Sequence, residues 1–243
     1  MNGGVVRRVS ALTSGLRGGP RLVTPQAERV LVVAPHPDDE VLMCGGTIAR
    51  LTERGAHVTV AFASDGEATL APGGRRWLAR RRRAETHRAA AVLGISAVRA
   101  LGHPDGGLAQ AHGLPHDLAD LLAALEPDLV LTPWRGDHPG DHAAVAHAVG
   151  MALSARRGPL PRIWAGEVWT PLSPSIAVDV TAVRARQRAA LACHRTPATV
   201  RPLSAGLALH DFRGWQTLGG NGACEAFAEQ SPESLIQGPD APG

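Results

Sequence analysis

The sequence of 243 residues has no lysine and no tyrosine, and tryptophan and phenylalanine together make up only 3% of it. The 25 basic residues are therefore all arginines, and with 22 acidic residues they give a formal net charge of +3. Proteins that bind single-stranded nucleic acid combine a positive groove with aromatic side chains on which bases stack. The shortage of aromatic residues therefore argues against a nucleic-acid partner, although one dense basic run is present at Arg80 to Arg83.

Long apolar runs and paired cysteines are also missing. No apolar run approaches the roughly 18 residues that a membrane-spanning helix needs, so we expect no stable membrane insertion. The three cysteines, Cys44, Cys193 and Cys224, are far apart and show no CxxC spacing, which excludes a disulfide framework and indicates a reducing compartment. The pair Arg7-Arg8 is not followed by the apolar stretch of an export signal, so we expect a cytoplasmic protein.

The length and local composition predict one large folded domain with irregular ends. Residues 1–28 lack sustained periodicity and are predicted to form a loosely ordered arm. Residues 29–230 are predicted to form the domain. Residues 231–243, which contain proline, glycine and acidic residues, are predicted to be a disordered tail.

Between these ends, short β-like runs alternate with helical patterns. This alternation predicts an α/β fold: a single Rossmann-like, doubly wound, mostly parallel sheet with helices on both faces. Strands are predicted at Arg29–Ala34, His57–Ala63, Ala97–Leu101, Asp128–Thr132, Ile163–Trp169 and Ile176–Val180, and helices at Glu40–Glu53, Leu78–Leu93, Leu114–Leu125, His142–Leu153 and Val183–Cys193.

Two clusters of histidine and aspartate follow the first and fourth predicted strands. His36 to Glu40 follows the first, and Asp137 to His142 follows the fourth. If the strand order is the common 3-2-1-4-5, these two strands are neighbours at the point where ligands bind in such sheets. Histidine and carboxylate groups are ligands of catalytic zinc, so the two clusters together predict a three-ligand metal site. For either cluster alone, helix capping or a turn is the better explanation.

The first cluster also carries a family resemblance. The segment Ala34 to Glu40, followed by Cys44 to Leu51, closely resembles the opening motif of the PIG-L (LmbE-like) zinc-dependent de-N-acetylases. The resemblance extends with weaker motifs from about Arg29 to Phe227. These motifs are Ser64 to Ala68, Arg82 to Ile95, Gly102 to Leu108, Ala189 to Thr196, and Glu225 to Phe227.

The resemblance implies a zinc site and a reaction. His36, Asp39 and His142 correspond to the metal ligands, and Asp38 to the general base that takes a proton from the attacking water. Zn²⁺ is the implied cofactor, with another divalent metal such as Fe²⁺ as the alternative. The implied reaction is removal of an N-acetyl group from an N-acetylglucosamine-type sugar of a small glycoconjugate.

The second cluster departs from the family pattern. Family members commonly read Asp-x-His-x-Asp-His, where the first histidine is thought to stabilise the oxyanion or protonate the amine. In an ungapped match, Pro139 takes the place of that histidine, and His138 stands one position early. Either His138 reaches the site because Pro139-Gly140 bends the loop, or the role is missing; we assign the catalytic role to His138.

Three further residues are candidate substrate contacts. Arg82 matches a substrate-contacting arginine of the family and Asp105 a contact to a sugar hydroxyl. The alternatives are a solvated helix face for Arg82 and ordinary turn chemistry for Asp105. Trp134 directly precedes the second cluster, and we expect it to line the entrance of the pocket.

Other residues receive structural or open assignments. His147 is about 140° around a helix from His142, so we expect it to point elsewhere. His194 could line the pocket or favour the dipole at a helix C-terminus. Gly45-Gly46 is expected to allow close contact between helix and sheet.

The resemblance leaves three function hypotheses open. The first is the de-N-acetylase acting on an amino-sugar glycoconjugate. The second is hydrolysis of a different amide, as in a thiol-conjugate amidase. The third is a metal-containing pseudoenzyme or sugar-binding module, which the departure at Pro139 suggests and the presence of Asp38 opposes. A nicotinamide-binding protein is disfavoured because Pro35-His36-Pro37 stands where GxGxxG would be required.

Overall fold

One sheet forms the centre of the molecule. The computed structural model describes residues 19–68, 73–198 and 203–237. Within these residues, eight strands form a sheet in the order β1-β7-β8-β6-β5-β2-β3-β4. The strands are β1 (Arg21–Val23), β2 (Arg29–Ala34), β3 (His57–Phe62), β4 (Ala97–Ala100), β5 (Leu129–Pro133), β6 (Arg162–Gly166), β7 (Ile176–Asp179) and β8 (Cys224–Gln230).

Helices cover both faces of the sheet, as predicted. The helices are α1 (Asp39–Glu53), α2 (Gly74–Leu93), α3 (Leu114–Leu125), α4 (Gly140–Ser154), α5 (Arg184–Leu191), α6 (Arg195–Ala198), α7 (Ala208–Leu218) and α8 (Pro232–Gln237). Helices α1, α2 and α5 pack together over one core, and α3, α4 and α8 over the other. No helix among the described residues is long and apolar enough to cross a membrane.

The central strands have the predicted order. Strand β2 pairs in parallel with both β3 and β5, and β6 lies beyond β5. Apart from its first residue, β2 is buried, because it lies in the middle of a sheet with helices on both sides. The carboxyl ends of β2 and β5 are therefore adjacent, which brings the two His/Asp clusters to one edge of the sheet.

Strand β8 was not predicted. It lies antiparallel between β6 and β7, so the sheet is mixed at this end. Its second residue, Glu225, is fully buried. Because a charged residue interrupts the apolar pattern of this short strand, the pattern alone does not indicate a strand here.

The predicted ends differ from the structure where the structure describes them. Arg21–Val23, part of the segment predicted to be a loosely ordered arm, pairs in parallel with β7. Pro232–Gln237, part of the segment predicted to be a disordered tail, forms α8, whose Leu235 is buried against Gly150 of α4. Tertiary contacts supply order that composition alone does not indicate. Residues 1–18 and 238–243 lie outside the described residues.

Helix α1 is broken by a kink at Cys44, where φ is −149°. The break frees the backbone N–H groups of Gly46 and Thr47, and both donate to the Glu225 carboxylate at 2.7 Å. A Cβ on Gly46 would lie 2.5 Å from Cγ1 of Val180. The close contact between helix and sheet that we predicted for Gly45-Gly46 is therefore confirmed at Gly46.

Candidate active site

The first cluster occupies the turn between β2 and α1. Asp38 is the N-terminal capping residue of α1 and has a φ of +118°, a region that L-residues rarely adopt. His36, Asp38 and Asp39 are all buried, and the exposed fraction of Asp38 is 1%. Strained backbone that is held in place by its surroundings is often found at functional sites.

Three side chains from the two clusters converge on one point. Oδ2 of Asp39 lies 3.0 Å from Nδ1 of His36 and 3.3 Å from Nε2 of His142. One ligand atom from each residue lies within 4.8 Å of those of the other two. His142, in the first turn of α4, is fully buried. The structure therefore brings together the three residues that were predicted to bind the metal.

An unpartnered polar atom and the donor set show that this cluster fits a metal ion. Oδ1 of Asp39 is buried and makes no hydrogen bond with any residue that the structure describes, whereas the buried Nε2 of His142 lies 3.3 Å from Oδ2 of Asp39. Two imidazoles and one carboxylate form a ligand set that zinc uses in catalytic sites, where a further position stays open. The donor set and the unsatisfied atom are thus consistent with a bound divalent cation.

Asp137 orients His142 through its other ring nitrogen. Oδ2 of Asp137 lies 3.0 Å from Nδ1 of His142. The same carboxylate accepts backbone N–H groups from Val168, Trp169 and Thr170, at distances of 2.7 to 3.2 Å. A carboxylate behind a ligating histidine fixes its tautomer and ring orientation. This role of Asp137 was not predicted from the sequence.

His36 is held in a similar way. Its Nε2 lies 3.0 Å from Oδ1 of Asp105 and 3.2 Å from Oδ2 of Asp141. The Asp141 carboxylate also accepts the backbone N–H groups of Gly106 and Leu108. Asp105 is therefore in the cluster, as a partner of His36. Asp141 performs the same role, which sequence reasoning missed because its position also suits a helix N-terminus.

The charges of the cluster are strongly coupled. Burial opposes ionisation of Asp39, but the charge of His142 and hydrogen bonds from His142 and His36 hold its pKa well below the usual range. Burial disfavours the charged form of His142, yet Asp39 and Asp137 raise its pKa to about 9. Both shifts favour an ion pair between His142 and Asp39. Because a histidine ligand must be neutral, a metal ion bound at this cluster would compete with a proton on the imidazole.

Asp38 lies next to the cluster with one oxygen free of protein partners. Its buried Oδ1 has no hydrogen-bond partner among the described residues. Burial and the neighbouring charge of Asp39 raise the pKa of Asp38 to about 7. Its backbone N–H donates to Oε2 of Glu40 at 2.9 Å, and Oε1 of Glu40 lies 3.1 Å from Nε2 of His194. Glu40 and His194 therefore support the turn that carries Asp38.

A cleft of about 360 Å³ opens onto the cluster. Arg82 reaches it from α2, is 6% exposed, and passes over Gly66, where a Cβ would lie 2.0 Å from its Nη1. The neighbouring Arg80, Arg81 and Arg83 are exposed, so of the two alternatives for Arg82 the structure favours the cleft over the solvated face. The cleft is lined by His36, Arg82, Asp105, Gly106, Ala109, Gln110, Pro139, Gly140 and Asp141.

The structure places two predicted residues differently. The side chain of His138 is exposed, whereas Pro139 and Gly140 line the cleft. The indole of Trp134 lies against Gly136, and its Nε1 donates to the carbonyl of Thr170 at 2.8 Å. Trp134 therefore stabilises the loop that carries Asp137, because its large ring packs against Gly136 of that loop and does not point towards the cleft. His147 points away from the cluster, with Nδ1 3.3 Å from the carbonyl of Ile236.

Known proteins share this sequence pattern and fold. A deacetylase from Bacillus cereus described as a probable N-acetyl-alpha-D-glucosaminyl L-malate deacetylase 2 is 34% identical over 51% of this chain and 60% of its own length. A 1D-myo-inositol 2-acetamido-2-deoxy-alpha-D-glucopyranoside deacetylase from Saccharomonospora viridis is 32% identical over 71% of this chain and 86% of its own length. The crystal structure of a conserved protein from Thermus thermophilus has a TM-score of 0.71 at 29% identity, with 85% of this chain and 96% of that chain covered.

The matches to several curated relatives are partial. The chain spans about 60% of the length of the Bacillus cereus protein and of a related mycobacterial deacetylase. The family model described as PIG-L: GlcNAc-PI de-N-acetylase matches residues 31–153, which is half of the chain and includes both His/Asp clusters. The resemblance noted in the sequence is therefore confirmed, and the chain belongs to the PIG-L family.

Proposed function

We propose that this protein is a metal-dependent hydrolase that removes the N-acetyl group from an N-acetylglucosamine-type sugar of a small glycoconjugate. The observation that carries the proposal is the convergence of His36, Asp39 and His142 next to the buried carboxylate of Asp38. The relatives named above are described as deacetylases of glucosaminyl compounds, which supports the same reaction class here.

We assign the metal to His36, Asp39 and His142, and zinc is the ion that this ligand set fits best. Fe²⁺ is the alternative, since imidazole also suits iron. When bound, such a cation supplies Lewis acidity to a carbonyl oxygen and makes water more acidic. Asp137, Asp105 and Asp141 hold the two imidazoles in their orientation through the nitrogen that faces away from the cluster.

Asp38 is the proposed general base. Its Oδ1 is free of protein partners, lies in a water-poor environment, and belongs to the residue that precedes a ligand. It can take a proton from the attacking water and return it to the amine that leaves. A base buried beside the metal cluster has no purpose in a module that only binds sugar, so this geometry favours the hydrolase over the binding-module hypothesis.

Arg82 and Asp105 are the proposed substrate contacts. Both line the cleft, and Nε of Arg82 has no hydrogen-bond partner among the described residues. An arginine side chain offers several donors in a fixed plane, which suits sugar hydroxyls or an anionic group on the substrate. The other amide substrates remain the second candidate within the hydrolase class, because the contacts at the cleft do not depend on acetyl itself.

His138 is proposed to act from the side of the cleft, and Trp134 through the loop that carries Asp137. The imidazole of His138 is exposed and directly precedes Pro139, which lines the cleft, so we propose that it acts on a bound substrate from that side. His138→Ala is expected to lower kcat, and an unchanged kcat would remove it from the mechanism. Trp134→Ala is expected to change KM or kcat through the loop, and an unchanged pair of values would show that Trp134 has no part in substrate binding.

The test is acetate release from a panel of N-acetylglucosaminides by the purified, zinc-loaded protein. The panel runs from the free sugar to inositol, aminoglycoside, glycopeptide and lipid aglycones. We expect release from at least one member, loss with a chelator, and recovery with zinc. Zinc bound in a one-to-one ratio with no release from any member would contradict sugar deacetylation, and no bound zinc would contradict the site.

A further inference from the structure

A second concave surface lies between the end of α5, the 3₁₀ helix Leu203–Ala205 and the start of α7. Its volume is about 490 Å³. It shares no lining residue with the cleft at the metal cluster, so it is a separate pocket. We refer to it as the α5–α7 pocket; it is lined by Arg188, Leu191, Ala192, His194, Arg195, Leu203, Ser204, Leu207, Ala208 and Asp211.

The charge of the α5–α7 pocket is positive. Arg188 and Arg195 are exposed, and neither has a carboxylate within 4 Å among the described residues. The lining carboxylate, Asp211, is neutralised by Arg184, whose Nη2 donates to it at 2.7 Å. Arg195 also lines an adjoining hollow of about 410 Å³ together with Arg81 and Arg88. Arg81 lies 3.6 Å from the Glu85 carboxylate, whereas Arg188 and Arg195, without carboxylate partners at a concave surface, form an anion-binding environment.

His194, one of the lining residues, carries a buried ring nitrogen without a hydrogen-bond partner among the described residues. His194 is 1% exposed, and its Nε2 is committed to Glu40 at 3.1 Å. Its Nδ1 makes no hydrogen bond with any described residue. Leaving a buried polar atom unsatisfied costs free energy, which a bound group with a complementary atom would recover. This atom is independent of the arginines as evidence for a ligand.

The remaining wall is apolar. Leu191, Leu203 and Leu207 line the pocket and are themselves largely buried. A fully inorganic ion would leave this wall uncovered, whereas a short aliphatic group would cover it and gain from the removal of apolar surface from water. The pocket therefore combines sites for one oxyanion and for a small apolar part.

We propose that the α5–α7 pocket binds a small organic oxyanion, a carboxylate or phosphate on a short aliphatic group, with Arg188 and Arg195 on the anion, Nδ1 of His194 on a polar atom, and the three leucines on the aliphatic part. The pocket is connected with the proposed catalytic centre because His194 bonds Glu40, which bonds the backbone of Asp38. The binding itself does not depend on the proposed function.

The experiment measures binding of hexanoate and hexyl phosphate to the full zinc-loaded chain by isothermal titration calorimetry, with hexanol as the neutral probe. We expect saturable one-to-one binding of at least one anion and none of hexanol, and the preferred anion identifies the oxyanion. The Arg188→Ala, Arg195→Ala double variant should bind about tenfold more weakly or worse, since each charge-assisted contact contributes substantially. Both arginines are exposed, so we expect the variant to fold.

The matched control is Arg157→Ala, which removes an exposed arginine that follows α4 on the other face of the sheet and should leave the affinity unchanged. The titration is repeated after chelation, because an anion bound to the metal ion would lose its affinity and one in the α5–α7 pocket would keep it. Absence of saturable binding, equal binding of hexanol, insensitivity to the double variant, or loss on chelation would each overturn the proposal. A protein that binds the anions but never releases acetate would support the pocket while contradicting the proposed function.

Discussion

Asp137→Asn tests whether Asp137 supports the proposed metal ligand His142. In the native protein, one oxygen of Asp137 accepts from Nδ1 of His142, and the other accepts backbone N–H groups, including that of Thr170 at 2.7 Å. Asparagine keeps one accepting oxygen and replaces the other by an NH₂ group. If the oxygen stays on the backbone, a donor then faces Nδ1 of His142, so the imidazole loses the hydrogen bond that sets its tautomer.

The expected loss of zinc affinity follows from the loss of the one carboxylate that bonds Nδ1 of His142. Removing the group behind a ligating histidine typically weakens metal binding about 10- to 100-fold, which is about 1.4 to 2.7 kcal/mol. Competition with a zinc-binding dye measures this directly. The control is Asp117→Asn, because Asp117 pairs with His103 at 2.8 Å outside the cluster and should leave zinc affinity unchanged. A zinc Kd for Asp137→Asn within twofold of the native value would refute the role of Asp137.

Three further predictions concern the packing, the buried charge and the cleft. Gly46→Ala should lower the free energy of unfolding by about 1 to 3 kcal/mol through overpacking, and Gly45→Ala, with its nearest contact at 3.1 Å, by less; equal urea midpoints would contradict this. Burial raises the folded-state pKa of Glu225 to about 7, above the unfolded value, so its contribution to stability is present at low pH and is lost as the pH rises through 7. The advantage of the native protein over Glu225→Gln in chemical unfolding should therefore shrink by up to about 3 kcal/mol between pH 4.5 and 8, and a constant difference would disprove it. Arg82→Lys should raise KM about tenfold by removing the planar donor pair. Arg80→Lys, on the exposed face of the same helix, should leave KM unchanged. Equal KM values for the two variants would show that Arg82 does not bind the substrate.

The central part of the fold could be predicted because its signals are local. Strand β2 and helix α3 have the predicted type and the predicted limits, because the apolar pattern of each segment indicates which of its residues are buried. Strand β8 and helix α8 could not be predicted, because their order comes from contacts with distant segments. In β8 the buried Glu225 is accommodated only because the kinked α1 presents two backbone donors to it.

The site also contains residues that could be predicted from the sequence and residues that could not. The convergence of the two His/Asp clusters could be predicted from strand order, because strand order brings the two turns together. The choice of His36, Asp39 and His142 within the clusters came from the family resemblance. Asp137 and Asp141 share the second cluster with His142, yet their roles depend on the direction in which each carboxylate turns. That direction is set by backbone N–H groups of loops that are remote in sequence, which no local pattern shows.

In the proposed mechanism, Asp38 performs proton transfer beside a metal held by His36, Asp39 and His142. The most direct test is acetate release per bound zinc for the native protein and for Asp38→Asn, both loaded to the same zinc content, on the best substrate of the panel. We expect equal zinc and a loss of about 100-fold or more in kcat, the contribution typical of a positioned general base. Equal kcat at equal zinc content would contradict the assignment of Asp38, and with it the proposed mechanism.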